Sequence, residues 1–221
     1  MKKLNLLGFA LCLVLSAFKI NAATYNFNCI TANDPSGTSC GIAEAQMSVD
    51  VNDAGSNQVE FIFSNTGPDT GAFIADIYFY DGPLFGNYTM TASSGVSFTS
   101  GATPGHLPAY SPEATVSLIY SADSDAPVAA NGIQSGEWLS VVFDLQTGIT
   151  YADILNAMDI GSPDGLVVGI HAQGLNPFLN DDGTTGSFSE SLITVVPVPA
   201  ALVLFMSGLI GMFGFAQRKR S

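Results

Sequence analysis

The sequence predicts an all-β protein: a single antiparallel domain of the β-sandwich or jelly-roll-like kind, with one short helix. Short segments that alternate apolar and polar residues with a period of two recur along residues 23–196. Clusters of Gly, Pro, Asn, Asp and Ser separate these segments, as turns do between antiparallel strands. Only one segment has helical spacing instead. Residues 23–196 suit one domain with a substantial core.

The predicted strands follow one another through this domain. The first is Tyr25, Phe27 and Cys29 alternating with asparagines, and the next apolar alternation runs over 59–64. The run 73–82, FIADIYFYDG, ends at the turn signal Asp81-Gly82-Pro83. Further strands are predicted over residues 45–51, 87–91, 96–100, 115–121, 137–145, 166–171 and 187–195.

The predicted helix begins after Thr150. Four apolar residues stand at positions i, i+3, i+4 and i+7, namely Tyr151, Ile154, Leu155 and Met158. Thr150 is the expected N-cap, and Asp153 three residues later completes a relaxed capping box. We expect this helix to pack over one end of the strands.

Charge excludes several function classes. The chain has 6 basic and 19 acidic residues, a net charge of −13, and no Lys or Arg stands between residues 24 and 217. Without cations the domain cannot neutralise phosphates, so nucleic-acid and nucleotide binding are excluded. No lysine can form a Schiff base, and no arginine can hold a carboxylate substrate.

The first 22 residues are predicted to be a signal peptide. Lys2 and Lys3 precede the apolar stretch 4–18, and Ile20-Asn21-Ala22 provides small residues for cleavage after Ala22 or, as the near alternative, after Ala23. The alternative is an N-terminal membrane anchor, for which 15 apolar residues are short.

Residues 197–221 form a second targeting segment. Residues 198–216 are predicted to be a transmembrane helix, because the stretch from Ala200 to Ala216 carries no charge. A basic group follows, which the positive-inside rule keeps cytoplasmic: Arg218, Lys219 and Arg220.

The proline motif that precedes this helix consists of Val196, Pro197, Val198, Pro199 and Ala200. Together with the short apolar span and the basic end, it resembles the PEP-CTERM sorting signal of Gram-negative bacteria, in the variant that reads V-P-x-P-A. The resemblance implies cleavage near the prolines by an exosortase, a membrane-embedded cysteine protease, in a host that secretes exopolysaccharide. A plain single-span anchor is the alternative. Segments 29–51, 60–68, 121–128 and 169–174 are similar to a group of exported proteins with this tail that has no assigned activity.

Cys29 and Cys40 are the only cysteines after the signal peptide. An even pair in an exported domain predicts a disulfide, with a metal site or a redox pair as the alternatives.

The sequence contains no complete catalytic constellation. It contains no H-E-x-x-H and no P-loop, and the spacing G-x-S-x-G occurs once, in GTSCG over residues 37–41, beside the paired Cys40. The two histidines, His106 and His171, are interpreted as structural, with a zinc site that includes an Asp as the alternative. Trp138 is expected in the core rather than on a sugar-binding surface. The sequence therefore predicts no enzymatic activity.

Acidic residues offer two further interpretations. Asp123 with Asp125, Asp181 with Asp182, and Glu137 with Asp144 are the candidate glycosidase pairs, which we interpret as solvated turn residues. Calcium binding is more plausible than glycoside hydrolysis, because hard cations prefer oxygen ligands in loops. The candidate calcium ligands are Asp50, Asn52, Asp53, Asp123, Asp125, Asp181 and Asp182.

These observations predict an exported, non-enzymatic protein of the cell envelope or extracellular matrix, structural or adhesive with exopolysaccharide. Its processing partners would be signal peptidase and an exosortase. A carbohydrate-binding module that uses Trp138 or Tyr110 is the alternative, and a secreted hydrolase is the weaker one.

Overall fold

Ten antiparallel strands form one continuous sheet in the order β5-β8-β3-β2-β1-β10-β9-β4-β7-β6. The computed structural model describes residues 22–81, 84–111, 117–160 and 165–194. The strands are β1 Ala22–Cys29, β2 Met47–Gly55, β3 Gln58–Asn65, β4 Phe73–Asp81, β5 Phe85–Ala92, β6 Phe98–Ser100, β7 Ser117–Ser124, β8 Glu137–Leu145, β9 Val167–Leu179 and β10 Thr185–Thr194. The predicted antiparallel all-β class is confirmed.

The sheet curls at β1, because this strand pairs with a different neighbour at each end. Ala22 to Asn26 pair with β2, whereas Phe27 to Cys29 pair with β10. The sequence predicts a sandwich, and the structure shows a single curled sheet because β1 is shared in this way. The curl brings the inner faces together: the ring of Phe79 on β4 lies 5.0 Å from the rings of both Phe61 and Phe143.

Strand β4 is buried along its whole length. Ile77 and Phe79 face the main core, while Tyr78 and Tyr80 belong to a second cluster that includes Leu107. Residues 101–111, which we call the covering loop, provide Leu107 and lie over the outer face of this part of the sheet. A strand covered on both faces loses the two-residue alternation, which explains the continuous apolar run of β4.

The described chain contains three helices where the sequence predicts one: α1 Thr38–Gln46, α2 Val128–Asn131 and α3 Tyr151–Ile160. The predicted helix, α3, is confirmed. Thr150 and Asp153 form the expected capping box, since the Thr150 hydroxyl and backbone N–H both donate to the Asp153 carboxylate and the Asp153 N–H donates back. Ile154 and Met158 are buried against the core.

Helix α1 occupies the beginning of the strand predicted over 45–51, so β2 begins only at Met47. Its sequence, TSCGIAEAQ, buries only Ser39, Ala43 and Gln46. Such a segment has little apolar periodicity. Its start is held instead by hydrogen bonds to Asp34 and by the disulfide of Cys40.

No helix in the described part of the chain is long and apolar enough to cross a membrane. The predicted transmembrane helix 198–216, the motif 196–200, the basic residues 218–220 and residues 1–21 of the predicted signal peptide lie outside the described residues.

Candidate functional site

Three polar side chains meet in one row across neighbouring strands beneath the covering loop. Asp76 on β4 lies opposite Asp123 on β7 and opposite His171 on β9. Asp76 is only 1% exposed. Its Oδ2 lies 3.0 Å from Nδ1 of His171, while its Oδ1 is buried and has no hydrogen-bond partner among the described residues.

The carboxyl group of Asp123 lies on the neighbouring strand β7, directly opposite Asp76. It lies within hydrogen-bonding reach of Asp76, and its pKa is raised from 3.8 to about 6, first by burial and then by the hydrogen bond to Asp76 and its charge. Two carboxylates this close do not both ionise without repulsion. This environment favours the protonated form of Asp123, and a protonated carboxyl group can donate a hydrogen bond to the Asp76 oxygen.

The covering loop is bonded to the same face of the sheet. The Thr103 backbone N–H donates to the Asp123 carboxyl. The Tyr78 hydroxyl, two residues after Asp76 on β4, donates to the carbonyl of Pro104 at 2.9 Å. The Leu107 N–H donates to the Tyr80 hydroxyl at 2.7 Å. Burial, together with the nearby Asp76 charge, raises the pKa of Tyr78 above its usual range, so this hydroxyl remains a donor.

A second buried carboxylate, Glu190 on β10, holds the segment between β1 and α1. It is 1% exposed and accepts hydrogen bonds from the Thr31 hydroxyl at 2.5 Å and from the backbone N–H groups of Asn33 and Asp34. Both of its oxygens are satisfied. Glu190 therefore has a structural role, unlike the pair of Asp76 and Asp123.

Asp34 organises the start of α1 in the same manner. Its two oxygens accept from the hydroxyls and backbone N–H groups of Ser36 and Ser39, and from the Asn176 side chain on β9. These hydrogen bonds, those of Ser36 first, hold the pKa of Asp34 well below its usual range. Asp34 thus links the disulfide-bonded segment to β9.

The predicted disulfide between Cys29 and Cys40 is confirmed. Within the described ranges, the group of three ligating side chains close enough for one metal ion consists of Cys29, Cys40 and Glu190. Both sulfurs are bonded to each other, and a disulfide provides no thiolate ligand. This group is therefore a covalent link beside a structural carboxylate.

The acidic residues predicted to bind calcium occupy three separate places. Asp50 on β2 accepts from the Thr24 hydroxyl, and Asp53 accepts from the backbone N–H of Gly55 at the end of the same strand. Asn52, between them, donates to Glu60 on β3.

Directly after β7 and in the β9–β10 hairpin the contacts are also local. Asp125 accepts from Ser97 and Thr99, which lower its pKa. Asp182 accepts from Thr184, which lowers its pKa too, and Asp181 is exposed beside it. Asp50, Asn52 and Asp53 lie in strand β2 rather than in a loop. Calcium binding stays a prediction for these residues, while the structure places Asp123 beside Asp76.

Other candidates are placed as follows. Glu137 accepts from the Gln134 N–H and Asp144 from the Gln58 side chain, so each carboxylate has its own partner. His106 is exposed in the covering loop.

The expectation that Trp138 belongs to the core is wrong, because it is 38% exposed at the start of β8. The ring of Tyr110 packs against Tyr80 at 4.6 Å.

Sequence reasoning did not single out Asp76. The signal that could have found it is one acid inside the apolar run FIADIYFYDG, since a buried carboxyl requires partners. Those partners, Asp123 and His171, stand far away in the sequence, and only strand pairing brings them to it. Comparison with protein-family models, curated proteins and solved structures finds no match for this chain.

Proposed function

We propose that the protein is exported and sorted by its C-terminal segment to the cell envelope or the extracellular matrix, where it is a non-enzymatic structural or adhesive component. The observation that carries this proposal is the order of the proline motif 196–200, the apolar stretch to Ala216 and the basic residues 218–220. The disulfide between Cys29 and Cys40 supports export, because disulfides persist in oxidising compartments.

The domain itself suits a hydrated matrix. Between residues 24 and 217 it carries acidic residues and no Lys or Arg. The resulting negative charge favours solubility and opposes self-association. In this proposal the curled sheet is a sandwich-like domain, and the strands on the two sides of β1 form its two layers. The contact between Phe61 on β3 and Phe79 on β4 supports this assignment, because these strands lie on opposite sides of β1. An anionic polysaccharide would be repelled unless divalent cations bridge the two surfaces. Association with such a matrix should therefore weaken on chelation.

Intact mass spectrometry on the native protein, in separated membrane and medium fractions, tests the sorting. We expect a species that begins near Ala23 and ends near Val196 outside the cell. A double variant, Pro197→Ala with Pro199→Ala, should keep the full C-terminus in the membrane fraction, and Ser221→Ala is the matched control. A full-length tail in the wild-type membrane fraction, with none released, would refute proteolytic sorting.

A carbohydrate-binding function is the second candidate, and one observation favours it. Trp138 is 38% exposed, and an exposed indole ring is suited to stacking on sugar rings. Its strand neighbour on β3 is the small polar Ser64. Tyr110 no longer shares this candidacy, because its ring packs on Tyr80 and its hydroxyl is buried.

Calorimetric titration with neutral oligosaccharides tests this second candidate. We expect saturable binding that Trp138→Ala abolishes. Ile160→Ala is the control, since Ile160 is 60% exposed and its truncation should leave both the fold and the binding unchanged. Equal affinity of the wild type and Trp138→Ala would eliminate Trp138 as a sugar-binding residue.

A further inference from the structure

Strand β5 is an open edge of the sheet. It stands at one end of the strand order and, among the described residues, it pairs on one side only, with β8. Residues 86–89 and Thr91 are exposed, so the strand is accessible along most of its length. An open edge presents unpaired backbone N–H and C=O groups, to which another strand can add.

The unpaired backbone groups of β5 follow from its register with β8. The Ser93 N–H donates to the carbonyl of Trp138, so these two residues form a hydrogen-bonded pair just after the strand. In an antiparallel ladder such pairs alternate with pairs whose N–H and C=O groups point away. Thr89 and Thr91, at even spacing from Ser93, therefore bond to β8. The residues that direct their backbone groups to the open side are Tyr88, Met90 and Ala92.

Two other accessible edges of the sheet are protected against strand addition. Strand β6, at the opposite end of the strand order, has only three residues, and the Thr99 hydroxyl within it donates to the Asp125 carboxylate. The β9–β10 hairpin carries Pro177 in β9 and the acids Asp181 and Asp182 in its turn. Short length, proline and charge are the usual means by which proteins keep edges from pairing.

Strand β5 lacks this protection over its second half. Its one irregularity lies between Phe85 and Tyr88. Residues 88–92, YTMTA, follow without a charge, a proline or a further register shift. This half is the part of the edge that suits strand addition.

Charge favours a second copy of this chain as the partner of this edge. Residues 24–217 carry acidic residues and no Lys or Arg, so two copies repel each other over most of their surface. Strand β5 has no charged residue, and the grooves beside it, toward β6 and β7, are lined by uncharged residues. A basic partner would be attracted to the acidic faces instead. An uncharged edge favours an uncharged strand, and β5 is itself such a strand.

We propose that two copies of the protein pair through their β5 edges, antiparallel and about a two-fold axis at Met90. In this register Tyr88 of each copy lies opposite Ala92 of the other, and the two Met90 residues face each other. The outward-directed groups of both strands are then all matched, in about six backbone hydrogen bonds. Thr89 lies opposite Thr91 of the other copy, which is a favourable pair between strands.

The association ends at two copies. A two-fold interface uses the same surface on both partners, so pairing of the β5 edges leaves neither of them open. At the other end of the sheet, the short strand β6 with its bond to Asp125 does not continue the assembly. This pairing depends on the sheet alone and is independent of the sorting tail and of sugar binding.

Sedimentation velocity over a range of concentrations, on the native exported protein, tests the pairing. One pair of edge strands is small for an interface, so we expect a dimer with a dissociation constant of about 10–100 µM. Added salt should strengthen the association, because it screens the repulsion between two acidic domains. The double variant Thr89→Glu, Thr91→Glu places like charges opposite each other and should weaken the dimer by about tenfold or more.

The matched control is Ala152→Glu with Asn156→Glu, which adds the same charge at two exposed positions of α3. It should leave the dissociation constant within about threefold of the wild type, because distant surface charges are screened. A protein that stays monomeric up to about 1 mM would overturn the proposal. So would a wild-type dissociation constant in the β5 variant, equal weakening by the control, or association that salt weakens.

Amide hydrogen exchange of the wild type, measured residue by residue by NMR, provides a test without mutation. Exchange at the outward N–H groups of Tyr88, Met90 and Ala92 should slow by about threefold or more when the concentration rises to about ten times the dissociation constant. Exchange at Thr89 and Thr91 should change less, because their N–H groups already bond to β8. Exchange at the three outward groups that does not depend on concentration would also overturn the pairing.

Discussion

Removal of the disulfide between Cys29 and Cys40 should destabilise the domain by an amount set mainly by chain entropy. The bond closes a loop between residues 11 positions apart in the sequence. For a closed loop of this size the entropy model gives about 3 kcal/mol at 25 °C. In the folded protein, Glu190 and Asp34 hold the same segment through hydrogen bonds that do not involve the sulfurs. We therefore expect the double variant Cys29→Ala, Cys40→Ala to fold, and to lose stability through its less restricted unfolded chain.

Urea unfolding followed by tyrosine and tryptophan fluorescence measures this loss. With a slope of about 2 kcal/mol per molar urea, a loss of about 3 kcal/mol shifts the midpoint by about 1.5 M. Wild-type protein reduced with a phosphine should unfold at the midpoint of the double variant, and the reductant should leave the variant itself unchanged.

A midpoint shift below about 0.3 M would refute the entropic argument. Complete loss of the folded signal in the double variant would refute the other half of the reasoning, namely that Glu190 and Asp34 hold this segment without the covalent bond. A Glu190→Gln variant separates the two contributions, because it weakens the hydrogen bonds and leaves the disulfide intact.

Further substitutions test the packing, a helix cap and a close backbone approach. Phe79→Ala removes a fully buried ring whose centroid lies 5.0 Å from those of two other rings. It should lower the free energy of unfolding in urea by about 3–5 kcal/mol. A loss below about 1 kcal/mol would contradict the central place of this ring in the core. Thr150→Ala removes the cap of α3 and should lower the free energy of unfolding by about 1 kcal/mol. Asp153→Ala should lower it by a similar amount, because both residues belong to one capping box. No change in thermal midpoint in either variant would refute that role. Gly174→Ala should lower the thermal midpoint more than Gly183→Ala. Both glycines have a positive φ, but only at Gly174 would the added Cβ lie 2.0 Å from a backbone carbonyl oxygen. Equal effects of the two substitutions would refute the close approach.

The all-β class and most strand positions could be predicted because the decisive forces are local. In β3, Val59, Phe61 and Phe63 are buried and the residues between them are less so, which is the period that a strand with one covered face imposes. Helix α3 was predictable for the same reason. Its cap and its buried positions lie within one short segment, and each local preference agrees with the final packing.

Helix α1, the curl of the sheet and the carboxyl pair depend on residues far apart in the chain. Gly37 with a φ of 73° precedes α1, and Asp34 and the disulfide hold it, so weak local periodicity did not reveal it. β1 changes partner within one strand, which no local pattern encodes. Trp138 follows the alternation of β8, but its exposure depends on what covers the outer face of that strand.

The sequence by itself determined the absence of Lys and Arg between residues 24 and 217, the cysteine pair, and the alternation that makes strands, because composition and short-range spacing are enough for each. Only the tertiary structure decided which acids meet. Asp76, Asp123 and His171 become neighbours through the pairing of β4 with β7 and β9. Strand order is set by the packing of the whole sheet, and the pKa of a carboxyl group depends on the burial and the neighbours that this packing creates.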